Sequence, residues 1–129
     1  MKRITRRTFT GMSLAAMGTP YIVPARVLGA EAPSNRITMG FVGVGNQGTN
    51  DMRGFLQDDR VQVVAVCDVN RESRGYWSNG LGGREPARRI VNAFYARKTG
   101  QADYSGCEAY EDFRDLIARP DIDAIETAL

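Results

Sequence analysis

The sequence has 129 residues, 43% of them hydrophobic and 25% charged, with a net charge of +2. That length holds one domain, or part of a larger protein, and excludes two independent cores within this chain. The charge is uneven: Lys2, Arg3, Arg6, Arg7 and Arg26 stand in residues 1–30 without an acid, while the remainder carries 12 basic against 15 acidic residues, which speaks against a nucleic-acid surface.

In chain order, Lys2 to Arg7 form a basic segment, and Phe9 to Val23 is mainly apolar but diluted by Thr10, Gly11, Ser13, Gly18, Thr19 and Pro20. The run is too interrupted for a stable membrane span. Gly29, Ala30 and Ala32 offer small residues for a signal peptidase acting after Ala30 or Ala32. The order Thr5, Arg6, Arg7, Thr8, Phe9 resembles the motif of a twin-arginine signal peptide. The competing reading is a disordered basic tail, which would need neither the apolar run nor the small residues. The resemblance implies residues 1–30 as a signal peptide, the twin-arginine export machinery as a partner, and a periplasmic or secreted product. That route carries proteins already folded, often with a cofactor bound. Residues 31–35, "EAPSN", read as a linker.

From residue 36 onward the pattern alternates. "RITMGFVGVG" is an apolar run ending in glycines, which predicts a buried strand. "NQGTNDMRGFLQDD" predicts a helix with Met52, Phe55 and Leu56 inward and Gly48 on the same side. "VQVVAVCD" is a second strand, and "VNRESRGYWSNGLGG" a polar, glycine-rich loop. That loop reads either as plain surface or as a lid anchored by Tyr76 or Trp77. "EPARRIVNAFYARKTG" predicts a helix with Pro86 in its first turn, an apolar face of Ile90, Val91, Phe94 and Tyr95, and Gly100 at its end. "CEAY" is a short third strand. "EDFRDLIARP" is a further helix with Phe113, Leu116 and Ile117 inward, and "IDAIETAL" opens a fourth strand. Alternating strands and helices predict an α/β fold, a Rossmann-like doubly wound parallel sheet of about four strands in the order 3-2-1-4 over residues 36–129.

The two cysteines are expected to be unpaired. Cys67 ends the second strand and Cys107 begins the third. Parallel neighbours put those positions at opposite ends of strands roughly 20 Å long, whereas bridged Cα atoms lie within about 7 Å.

Gly43, Gly45 and Gly48 form a G-x-G-x-x-G between a predicted strand and a predicted helix, and Asp68 ends the next strand twenty residues later. That combination points to a dinucleotide site. Gly43 permits a tight turn, Gly45 lets a pyrophosphate approach the backbone, and Gly48 lets helix and strand pack closely. The helix N-terminus offers free N–H groups to phosphate. Asp68 would accept hydrogen bonds from the adenosine ribose. A carboxylate there repels a 2′-phosphate, which favours NAD over NADP. Arg71 would pair such a phosphate or cover the adenine, or is a solvated loop arginine.

The run "ITMGFVGVGNQG…VQVVAVCDVNRES…YEDFRDLIARPDIDAI" is similar to the amino-terminal domain of the Gfo/Idh/MocA oxidoreductases over roughly residues 36–126. The resemblance implies a Rossmann domain followed by a second α/β domain, and hydride exchange between a nicotinamide and a sugar or polyol carbon. It implies Gly43, Gly45, Asn46, Gln47 and Gly48 on the pyrophosphate side, and Asp68 and Asn70 on the adenosine side. The family's Glu-Lys-Pro motif, its downstream histidine and its second domain have no counterpart here, so the chain is expected to be a fragment or a truncated product, inactive by itself. The sequence has no histidine, and Lys98, the sole lysine after residue 30, reads as a solvated helix residue. Glu126 stands where the pattern predicts a strand buried on both faces, and Ile122, Ile125 and Leu129 are expected to be exposed. Two other readings stay open: an NAD-dependent glycoside hydrolase, and a non-catalytic dinucleotide-binding module.

Overall fold

The computed structural model describes residues 35–76 and 79–129. The signal-peptide reading of residues 1–30, nearly all of the linker, and Trp77 lie outside the described residues. Strands β1 (Ile37–Val42), β2 (Val61–Cys67), β5 (Glu108–Tyr110) and β6 (Ala124–Thr127) form one parallel sheet in the order β5-β2-β1-β6. With those four strands counted in sequence, this is the predicted 3-2-1-4 order. Helices α1 (Asn46–Leu56) and α2 (Arg84–Thr99) pack on one face and α3 (Phe113–Ile117) on the other, as right-handed crossovers between parallel strands require. No helix among the described residues is long and apolar enough to cross a membrane.

The larger core lies under α1 and α2. Phe41, Val44, Met52, Val63, Val66 and Val91 are fully enclosed there, with Leu56, Ala87, Tyr95 and Cys107 beside them. Each large apolar side chain so enclosed contributes roughly 1.5–3 kcal/mol relative to exposure. The smaller core under α3 holds Val42, Val64, Ala65, Cys67 and Leu116. Cys67 and Cys107 are free and buried, and they belong to different cores on opposite faces of the sheet. Burial pushes the Cys107 thiol up to about 12 and raises that of Cys67 as well.

Strand β2 departs from regular pairing. Met39 lies opposite Val63 and Gly40 opposite Ala65, so Val64 is an extra residue in a β-bulge. Two backbone groups beside the bulge find side-chain partners. The Val63 amide donates to the Tyr95 hydroxyl at 2.9 Å, and the Val64 carbonyl accepts from Arg119 Nη1 at 3.3 Å.

Four expectations need correction. The stretch after β2 is more than a loop, because Ser73–Arg74 (β3) pairs antiparallel with Leu81–Gly82 (β4). In α3 only Leu116 is buried, while Phe113 and Ile117 are 48% and 54% exposed. A five-residue helix presents one contact to the sheet, and Leu116 takes it over Gly40, where a Cβ would stand 2.8 Å from Leu116 Cδ2. In α1, Phe55 is partly exposed and tilts against Phe41 with ring centroids 5.6 Å apart. Strand β6 lies at the edge of the described sheet with alternating burial. Ile125 and Leu129 are exposed as expected, but Ile122 packs against the smaller core.

Candidate functional site

The glycine loop joins β1 to α1 at the carboxyl end of the sheet. Gly43 has φ +83°, a left-handed conformation that favours glycine, and an added Cβ would also stand 2.5 Å from the Ala128 carbonyl oxygen. At Gly48 a Cβ would fall on the Gly43 carbonyl, so this glycine sets the close packing of α1 on the loop, as its spacing predicts. Gly45 is the N-cap of α1 and gives no side-chain cap; the first turn holds no acid. The reason for glycine at 45 has a component that the motif does not contain. A Cβ there would stand 2.8 Å from Cε1 of Tyr76, whose ring also packs on Gly82.

The predicted site residues divide among three hollows. Gly43 and Asp68 share an apolar cleft of about 350 Å³ with Val69, Phe113, Ile117 and Leu129, and Glu111 and Thr127 also line it. Gly45 and Asn46 open instead onto a polar hollow of about 270 Å³, together with Thr49, Arg53, Tyr76 and Gly82. Arg71 lines a third, with Glu72, Glu85 and Arg89, away from the cleft that Asp68 lines. Asn70 connects the first two: its amide donates to Asp68 Oδ1 at 2.9 Å, and its side-chain Nδ2 donates to the Tyr76 hydroxyl at 3.1 Å. Gln47 turns along its own helix and donates to Asp51 Oδ1 at 2.7 Å.

Asp68 is held in place from several sides. Its amide donates to the Tyr110 carbonyl at 3.1 Å, and its Oδ1 accepts from Asn70. Its carbonyl accepts from Arg84 Nη1 at 3.0 Å, and Arg84 Nη2 pairs with Glu111 Oε2 at 2.9 Å. Arg84 escaped the sequence reading. Its signal was present: a cation in the first turn of a helix opposes the helix dipole and needs a local reason. The apolar lining from Phe113 and Ile117 also escaped it, because periodicity assigned both to the core.

On the other side of α1, Glu126 pairs in register with Phe41 and turns toward Asn50, Asp51, Phe55 and Asp58. Its Oε2 is buried without a hydrogen-bond partner, and desolvation raises its pKa, with the charge of Asp51 adding in the same direction. The awkwardness expected of this carboxylate is therefore real, although only one face of its strand is covered. Lys98 is paired with Asp59, at the far end of α2 from the cleft.

No family model matches the sequence. The chain is similar to a glycosyl hydrolase. That relative is a glycosyl hydrolase family 109 protein from Saccharopolyspora erythraea, 28% identical over 122 residues. The match takes in 88% of this chain and 24% of the relative, so the chain spans about a quarter of the length of the curated protein it matches.

Proposed function

We propose that residues 36–129 bind a nicotinamide dinucleotide, NAD in preference to NADP, across the carboxyl end of the sheet. The observation that carries this reading is the shared cleft. Gly43, which opens the glycine loop, and Asp68, which follows β2, come from neighbouring strands and line one hollow of about 350 Å³. The relation of strand, tight turn, helix and acid is the one a dinucleotide needs. Gly43, Gly45, Asn46, Gln47 and Gly48 would face the pyrophosphate; Asp68 and Asn70 would face the adenosine, with Arg71 on the outer side. A bound nicotinamide would supply the hydride acceptor or donor. The part of this chain is to bind, to orient, and to repel a 2′-phosphate through the Asp68 carboxylate.

Calorimetric titration of NAD and NADP into the wild type and Asp68→Ala tests this. The wild type should prefer NAD, and the variant should lose most of that preference. Equal preference in both proteins would sink the reading.

For a protein that carries this domain we propose an exported oxidoreductase acting on a sugar or polyol. The motif-bearing runs of residues 36–126 support it. A second reading is favoured by the similarity to a glycosyl hydrolase: cleavage of a glycoside with the dinucleotide oxidising and re-reducing the sugar. In a protein of the relative's length, glycoside turnover without net NADH would select the second reading. NADH formation from free sugars would select the first. The export route proposed is the twin-arginine pathway, supported by Thr5 to Phe9.

A further inference from the structure

The turn that carries Asp68 has its carbonyls gripped in sequence by two residues. Arg84 Nη1 donates to the carbonyls of Asp68 and Val69 at 3.0 and 2.9 Å. The Arg84 amide donates to the Asn70 carbonyl and the Glu85 amide to the Arg71 carbonyl, both at 3.0 Å. Four consecutive carbonyls, from 68 to 71, are thus held by the first two residues of α2: two by one side chain, two by main-chain groups left free at a helix start. The other end of the Arg84 guanidinium pairs with Glu111, which lines the same cleft from the β5–α3 connection. The Arg84 side chain is only 14% exposed. A planar guanidinium bridging two carbonyls and a carboxylate is a geometry that a lysine cannot reproduce.

We propose that Arg84 is a positioning residue for the cleft. It fixes the turn that aims the Asp68 carboxylate and ties it to the β5–α3 connection through Glu111, so that dinucleotide selectivity depends on a side chain that need not touch the ligand. The inference rests on the dinucleotide reading for its selectivity consequence alone. The positional part stands on the apo chain.

The physical reason is stiffness. Without the guanidinium, the Asp68 and Val69 carbonyls turn to water, and the turn keeps only the bond from the Asp68 amide to Tyr110 at its start and the α2 amides at its far end. The Asp68 carboxylate then samples more orientations, and a ligand must pay the ordering cost that Arg84 now removes in advance.

The test uses Arg84→Met, Arg84→Lys and Glu111→Gln in the whole chain, with two readouts. The first needs no ligand. Amide hydrogen exchange at Asn70, whose N–H binds Asp68 Oδ1, should accelerate about tenfold in Arg84→Met, the scale of a lost charge-assisted hydrogen bond. The core amide of Val63 should be unchanged. The second is the ratio of NAD to NADP affinity, which should narrow in Arg84→Met, partly recover in Arg84→Lys, and move least in Glu111→Gln. Unchanged exchange at Asn70 in a folded variant would overturn the proposal. So would equal weakening of NAD and NADP, since that is what a merely structural role gives. Faster exchange in a chain whose wild type does not discriminate between the dinucleotides would uphold the positional role and strike down the NAD reading instead. Should Arg84→Met fail to fold, Arg84→Lys and Glu111→Gln carry the same comparisons.

Discussion

Glu126 is the residue least at ease in this fold. Its Oε2 is enclosed without a partner, and desolvation by the α1 side raises its pKa above the ordinary 4.5, with Asp51 adding to the shift. For a carboxyl whose folded pKa is raised, the favourable contribution is present in full below the unfolded value. It is lost as the pH rises through the folded value, where the buried group must carry charge. Glu126→Gln keeps the shape and removes the ionisation. Its melting temperature should exceed that of the wild type at pH 7, and the gap should close as the pH falls below 4.5. A gap of constant size at every pH would assign the effect to packing instead. The glycines at 43, 45 and 48 tell a complementary story at the same scale. Gly43 and Gly48 are demanded by backbone contacts inside the chain, at Ala128 and Gly43 respectively, and Gly45 lies against the Tyr76 ring, all before any ligand is considered. A glycine motif therefore records the close approach of backbone to something, and the tertiary structure says to what.

At the level of elements, the bulge at Val64 shows how a short strand is accommodated. Strand β5 has three residues and pairs only with Ala65 to Cys67, so the earlier part of β2 depends on other partners. Tyr95, from the buried face of α2, supplies the acceptor for Val63, and Arg119, after α3, supplies the donor for Val64. Arg119 is itself pinned by two contacts to Asp121, at 2.9 and 2.5 Å. Both helices are thereby tied to the sheet by polar contacts as well as by apolar area. Tyr95→Phe leaves the Val63 amide unpaired in the core and should destabilise the domain by about 1–3 kcal/mol, seen as a lower urea midpoint. An unchanged midpoint would mean that water or a backbone shift replaces the phenol. The hairpin of β3 and β4 acts in a similar way on the outside. It brings Tyr76 onto Gly45 and Gly82, and so closes one side of the glycine loop with a side chain from the β2–α2 connection.

For the whole molecule, the doubly wound arrangement gathers the ends of β1, β2 and β6 at one edge of the sheet, where Val42, Cys67 and Thr127 meet around the cleft. The same topology sends the two thiols to opposite faces, so neither the strand offset nor the side-chain direction permits a bridge between them. A domain whose cofactor would be loaded in the cytoplasm suits an export route for folded proteins, which is the route that Arg6 and Arg7 suggest. On the proposal of twin-arginine export, exchanging both arginines for lysine in a reporter fusion to residues 1–35 should abolish appearance of the reporter outside the cytoplasm. Undiminished export would show that a different pathway reads the segment.

Much of the architecture was legible from the sequence because it rests on local chemistry. β-Branched runs such as "VQVVAVC" and the 3.6-residue spacing of Val91 and Tyr95 identify strands and a helix, and their alternation restricts the strand order to a parallel one. Gly43 and Gly48 were readable for the same reason, since a tight turn and a close helix leave no alternative residue. What could not be read depends on contacts distant in sequence. Phe113 and Ile117 carry a core pattern, yet a helix of five residues offers the sheet a single side chain, and Leu116 occupies the room over Gly40. The grip of Arg84 and Glu85 on four successive carbonyls arises only when α2 is folded back along β2, and the division of the motif residues between an apolar cleft and a polar hollow only when Tyr76 and the β4 strand close on α1 while Phe113 and Ile117 close on the ends of β1 and β2. Sequence periodicity determines which elements form. Which side chains meet across them is decided by the packing of helices whose lengths and offsets the periodicity does not contain.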